Sequence, residues 1–175
     1  MTGAVPPGRP QDLARDVVDA LTARGETVAV AESLTGGLVV AELVSVPGAS
    51  AVVRGGVVAY ATPLKHALLG VSAELLARNG AVDPEVARQM AAGVRERLVV
   101  DGAPATWGIS TTGVAGPDPQ DGKAVGTVFV GIAADGLCES SELRLDGDRA
   151  AIRQATVSEL LARLLRMFVE RECGE

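Results

Sequence analysis

The sequence predicts an α/β protein: a three-layer α/β/α domain on a mixed five-stranded sheet, with helices on both faces. Three observations lead there. Helical and strand periodicities succeed one another in the order α-β-α-β-α-α-α-β-β-β-α, the alternation that puts helices over a largely parallel sheet. Asp135-Gly136 between the last two strands is a hairpin signal, so those strands run antiparallel and the sheet is mixed. Glycine-rich turns follow the first and third strands, where open sheets of this kind collect ligands.

The elements follow in order. Asp12 to Leu21 carries apolar residues at helical spacing and Arg24-Gly25 closes that helix. Thr27 to Ala31 is a short apolar strand meeting Glu32-Ser33-Leu34-Thr35-Gly36-Gly37, and a second helix runs through Val46 before Pro47-Gly48. Val52 to Tyr60 reads as the second strand, its Gly55-Gly56 pair predicting a bulge or a close backbone approach. Thr62-Pro63 predicts a helix capped by Thr62 with Pro63 at its first position. Ser72 to Arg78 predicts a short helix stopped by Asn79-Gly80, and Asp83-Pro84 opens a longer one with Val86, Met90, Val94 and Leu98 on one face. Ala105 to Thr111, Val125 to Ala134 and Leu137 to Leu145 are the remaining strands, and Asp148 to Glu172 is a long amphipathic helix.

With 175 residues, 47% of them hydrophobic, the chain suits one domain, expected over residues 10–173 after a loose, flexible N-terminus at 1–9. Only Tyr60, Trp107, Phe129 and Phe168 are aromatic, too few for base-stacking platforms, and a net charge of −6 argues against a nucleic-acid partner or an anionic membrane surface. Cys138 and Cys173 have no metal-site spacing and His66 is the one histidine, so no metal and no cofactor is expected. Met1 to Pro10 lacks the form of a signal peptide, and no apolar run nears the roughly 20 residues of a membrane helix. The expectation is a cytoplasmic protein, compatible with a dimer.

The candidate residues cluster after strand ends. Ser33 lies between a buried strand and a helix start, where free amides would serve a nucleophile as oxyanion donors; equally, Ser33 or Thr35 would simply cap the helix. Gly36-Gly37 fits a phosphate-cradling turn without the lysine of a P-loop. A serine nucleophile needs a base. His66 has no evident acid partner, whereas Lys65 becomes a base if burial lowers its pKa, and it stands out because fourteen of the sixteen basic residues are arginine, which cannot give up a proton. A solvent-facing lysine is the bland alternative. Tyr60 would orient that base or merely end a strand. Thr112-Gly113-Val114-Ala115-Gly116-Pro117 offers hydroxyl and amide donors, while Arg149 and Arg153 would clamp a phosphate or pair with Asp146 and Asp148.

Taken together and in order, several segments resemble the CinA C-terminal domain family, which includes bacterial nicotinamide mononucleotide deamidases. They are Val30 to Gly37, Val46-Pro47-Gly48-Ala49-Ser50, Gly55 to Tyr60 with Lys65 and Leu68 to Val71, Gly80-Ala81-Val82, Thr112 to Pro117, Val125 to Val128, and Gly147-Asp148-Arg149 with Arg153. The resemblance covers roughly residues 10 to 170. It implies hydrolysis of the carboxamide of nicotinamide mononucleotide by a Ser-Lys mechanism, with Ser33 as nucleophile, Lys65 as base, Tyr60 supporting Lys65 and Thr112 stabilising the oxyanion. Thr35, Gly36, Gly37, Gly113, Gly116 and Arg149 would bind this small nucleotide substrate. A catalytically weak nucleotide-binding or regulatory module of the same fold is the alternative. The sequence departs from the family pattern at Ala61-Thr62-Pro63-Leu64, at Ala124 where proline is usual, and in a shorter, more acidic loop after Pro117.

Overall fold

The computed structural model describes residues 8–173, the side chains through 171. The loose start expected at residues 1–9 falls mostly outside them. The elements are α1 (Pro10–Arg24), β1 (Val28–Glu32), α2 (Leu38–Val44), β2 (Val53–Val58), α3 (Thr62–Leu69), α4 (Ala73–Asn79), α5 (Pro84–Arg97), β3 (Trp107–Gly113), β4 (Thr127–Ala134), β5 (Leu137–Arg144) and α6 (Arg149–Cys173), with a 3-10 turn at Ala49–Ala51. The sheet order is β2-β1-β3-β4-β5. Strands β2, β1 and β3 are mutually parallel, while β4 and β5 return antiparallel through the Asp135-Gly136 turn. The mixed five-stranded sheet and three layers are therefore as the sequence predicts.

Period-two alternation in β1 explains both faces. Val28 and Val30 enter a large core with α1, α2 and α6, centred on Leu21, Leu43, Ile152, Leu160 and Leu164. Ala29 and Ala31 face the other way, into a core with Leu69, Leu75, Met90 and Val94 from α3, α4 and α5. Small residues on this second face let α5 lie close to the sheet. A Cβ at Gly108 would collide with the carbonyl of Ala91, one at Gly131 with that of Ala87, and the Ser110 hydroxyl donates to the Ala87 carbonyl at 2.6 Å.

Two local expectations resolve differently. At Gly55-Gly56 both alternatives hold: the register slips so that Val28 pairs with Val53 but Ala29 with Gly55, and a Cβ on Gly56 would collide with Val40. Thr62, in contrast, does not cap α3. Ala61 holds the cap position without a side-chain bond and Thr62 is already helical, because the chain leaves β2 extended and turns one residue earlier. Ser72 and Asp83 do cap their helices, accepting from Leu75 N–H and Glu85 N–H. Among the described residues no helix is long and apolar enough to cross a membrane.

Candidate active site

The order β2-β1-β3 places three loops side by side at the carboxyl ends of the parallel strands, each leaving its strand at the same edge. Ser33 and Leu34 follow β1, Tyr60 to Thr62 follow β2, and Val114 to Gly116 follow β3; with Lys65, Thr112, Gly113 and Arg149 they line a cavity of about 260 Å³. The β3–β4 loop adds Asp118 and Gln120.

Lys65 sits on the inner face of α3 with no exposed surface. Its Nζ donates to Ser33 Oγ at 3.0 Å, to the Ala59 carbonyl at 2.8 Å and to the Tyr60 carbonyl at 3.4 Å. No carboxylate pairs with it, so burial alone acts on the amine and lowers its pKa from 10.5 to about 8. The neutral amine keeps two N–H groups and one lone pair. With both carbonyls taking the N–H groups, the lone pair is left for the Ser33 hydroxyl. Ser33 is itself fixed by its backbone N–H, which donates to the Thr111 carbonyl at 3.0 Å.

Glu32, not among the residues singled out from the sequence, organises the turn that follows Ser33. Its buried carboxylate accepts the N–H groups of Gly37 (2.9 Å), Val39 (3.1 Å) and Val40 (3.0 Å), capping α2 from inside the protein. Gly37 permits this geometry because its φ of 100° lies where other residues are strained. From the other side, Arg153 donates to the carbonyls of Leu34 (2.9 Å) and Thr35 (2.8 Å). A carboxylate thus holds the amides and a guanidinium the carbonyls of one short turn. An acidic residue directly before Ser-x-x-Gly-Gly, buried at a strand end, was the available signal for Glu32.

These contacts correct several expectations. Gly36 and Gly37 do not cradle a phosphate: the Gly36 N–H donates to the Ser33 carbonyl, Glu32 already occupies the amides that an anion would need, and neither glycine lines the cavity. Thr35 is buried with its hydroxyl 2.8 Å from that of Thr111, away from the cavity, so it braces the turn after β1 against β3. Thr112 lines the cavity, but its hydroxyl donates to the Ala81 carbonyl at 2.6 Å and its proton is unavailable to an oxyanion. The Tyr60 phenol, 58% of the residue being exposed, does not meet Lys65; it accepts from Arg149 Nη2 at 2.9 Å, and only the Tyr60 carbonyl reaches the amine. Arg153 is committed to the turn, so no two-arginine clamp forms, and neither arginine pairs with Asp146 or Asp148; Asp148 caps α6 at Ala151 N–H.

The remaining candidates stay at the cavity or leave it. Gly113 and Gly116 line the wall, and the Gly116 carbonyl accepts from Arg149 Nη1 at 2.6 Å. Arg149 is therefore the cavity's one arginine among its lining residues, with two of its five N–H donors in use. His66, next in sequence to Lys65 but roughly 100° around the helix, turns to the Val71 carbonyl (2.8 Å from Nδ1) and lines a separate apolar groove. Lys123 does not line the cavity. Among the described residues no group of His, Cys, Asp and Glu could hold a metal ion.

The fold and site define an α/β/α domain that carries a buried serine–lysine pair at the carboxyl edge of its parallel strands. Comparison with known proteins makes this specific: residues 10–168 match the model of the CinA C-terminal domain, and the chain belongs to that family. A CinA-like protein of Frankia casuarinae is 48% identical over 161 residues, and one of an Anaeromyxobacter species 48% identical over 160. The alignments cover 92% and 90% of this chain but 36% and 37% of those relatives, so the chain spans little more than a third of their length. Among solved structures, the competence/damage-inducible protein CihA of Agrobacterium tumefaciens superposes with a TM-score of 0.84 at 37% identity, covering 93% of this chain and 98% of that one. A CinA superfamily protein of Klebsiella pneumoniae gives 0.85 at 32% identity, covering 93% and 99%.

Proposed function

We propose that the protein is an amidohydrolase that converts nicotinamide mononucleotide and water to nicotinic acid mononucleotide and ammonia. The observation that carries this reading is the 3.0 Å contact between Ser33 Oγ and a buried Lys65 whose pKa falls to about 8. An amine with no counter-ion, aimed at a hydroxyl, is suited to take its proton and unsuited to a purely structural role.

In the first half-reaction neutral Lys65 accepts the Ser33 proton while Oγ bonds to the carboxamide carbon. The developing oxyanion meets the N–H of Leu34, which lines the cavity and has no acceptor among the described residues. The Lys65 ammonium then gives its proton to the amide nitrogen, the C–N bond breaks, and ammonia leaves. In the second half Lys65 takes a proton from water, the water oxygen attacks the acyl carbon, and the Oγ–C bond breaks with the proton returned to Ser33. The Ala59 and Tyr60 carbonyls hold the amine through both proton transfers, and Thr112 keeps the Ala81 wall in place. Arg149 supplies a cation for the phosphate at the cavity mouth. No metal or cofactor enters this scheme, and the enzyme would act in the cytoplasm.

The test is ammonia release from nicotinamide mononucleotide, nicotinamide riboside, nicotinamide and asparagine. The reading predicts turnover of the mononucleotide above the other three. Release from none of them would favour a binding module, and release from asparagine alone would move the substrate elsewhere.

A further inference from the structure

The cavity carries a second charge with no role in the proposed chemistry. The loop after β3 is pinned at both ends: Arg149 grips the Gly116 carbonyl, and near the far end Asp121 Oδ2 accepts the Ala81 N–H at 3.4 Å beside Gly80. Around Asp121, Gln120 and Lys123 exchange backbone hydrogen bonds of 3.1 and 2.8 Å, closing a small turn. The loop is thus a built wall, and its two carboxylates have different fates. Asp121 is spent on the Gly80-Ala81 segment. Asp118 lines the cavity and has neither a hydrogen bond nor an ion pair among the described residues, although Gly116, two residues earlier, holds the Arg149 guanidinium.

An acid and a base therefore face one cavity without neutralising each other. A ligand that fills it removes water from both, and each then favours a ligand group of opposite charge. We propose that Asp118 is a specificity-determining residue that selects substrates carrying a positive charge as well as the anion met by Arg149. For the reaction proposed above, on which this inference rests, that charge is the pyridinium ring next to the carboxamide. Asp118 would hold the oxidised, cationic ring over an uncharged ring of the same shape.

The experiment compares nicotinamide mononucleotide with its dihydro form, which has the same ribose phosphate but a neutral ring. The quantity read is the ratio of kcat/KM values for the two substrates, in the full-length protein and in its Asp118→Asn and Asp121→Asn variants. Dividing one substrate by the other cancels any general loss from misfolding, and comparing that ratio between proteins cancels the intrinsic difference in amide reactivity. Asp118→Asn should lower the ratio about two- to fivefold, the scale of a solvent-reached ion pair, and Asp121→Asn should leave it where it is. An unchanged ratio in Asp118→Asn overturns the proposal, as does an equal fall in Asp121→Asn, which would trace the effect to loop shape. If the protein turns over neither substrate, the deamidase reading fails by itself. Calorimetric Kd values for the two forms then decide the inference: a preference for the cationic form that Asp118→Asn abolishes supports it, and equal or absent binding overturns it.

Discussion

Burying Lys65 without a counter-ion makes the folded state pH-sensitive in a direction opposite to that of an ordinary ion pair. The folded pKa of about 8 lies below the ordinary 10.5, so between those values the unfolded chain binds more protons than the folded one. Stability contributed by this group therefore rises with pH across that window and is withheld below it. At 1.36 kcal/mol for each tenfold change, the full difference is about 3 kcal/mol, and integrating over the practical range from pH 7 to 9.5 gives about 2 kcal/mol. The perturbation is Lys65→Met, which keeps a chain of similar length and removes the titration. Urea unfolding of wild type and variant at pH 7, 8, 9 and 9.5 provides the assay, since subtracting the variant removes the titration of every other group. Wild type should gain about 2 kcal/mol on the variant as pH rises over this range. A flat difference, or one that falls, would show that Lys65 is not held by desolvation and would remove the basis for its role as a base.

In the proposed reaction the same group would set the rate. The acid limb of kcat/KM for nicotinamide mononucleotide should rise with pH to a plateau through an apparent pKa near 8, and should vanish from the residual activity of Lys65→Met. Glu32→Gln leaves one of three backbone N–H groups facing an amide nitrogen, which should cost about 2 kcal/mol in urea unfolding and lower kcat more than it raises KM. Arg149→Ala should reduce the preference for the mononucleotide over nicotinamide riboside by about tenfold, the value of one charge-assisted contact of roughly 1.4 kcal/mol, measured as a ratio of kcat/KM.

Elements whose signal is local were legible in the sequence. The Asp135-Gly136 turn, the Ser72 and Asp83 caps and the glycine at Gly25 each act over a few residues, and the structure uses all of them. That Ser33, Lys65, Thr112 and Arg149 belong to one site was an expectation drawn from the family resemblance and not from composition or spacing; the structure brings all four to one cavity. What the sequence concealed is the direction of individual hydrogen bonds. Gly36-Gly37 has the composition of an anion-binding turn, yet Glu32 fills it, because a carboxylate at the last position of a buried strand has no water to reach and takes the nearest free amides. Arg149 and Arg153 share a helix face, but the turn at Leu34 captures one and the rim keeps the other. Thr112 and Tyr60 line the cavity, but neighbours absent from their local sequence, Ala81 and Arg149, decide what their hydroxyls do.

In the proposed reaction an acyl group passes through Ser33 under the control of Lys65. Hydroxylamine competes with water for such an intermediate, so the direct measurement is hydroxamate formed from nicotinamide mononucleotide in its presence. Wild type should yield hydroxamate together with ammonia, while Ser33→Ala yields neither and Lys65→Arg, which retains charge but not basicity, is nearly inactive. Ammonia released by wild type with no hydroxamate, or by Ser33→Ala at an undiminished rate, would contradict it.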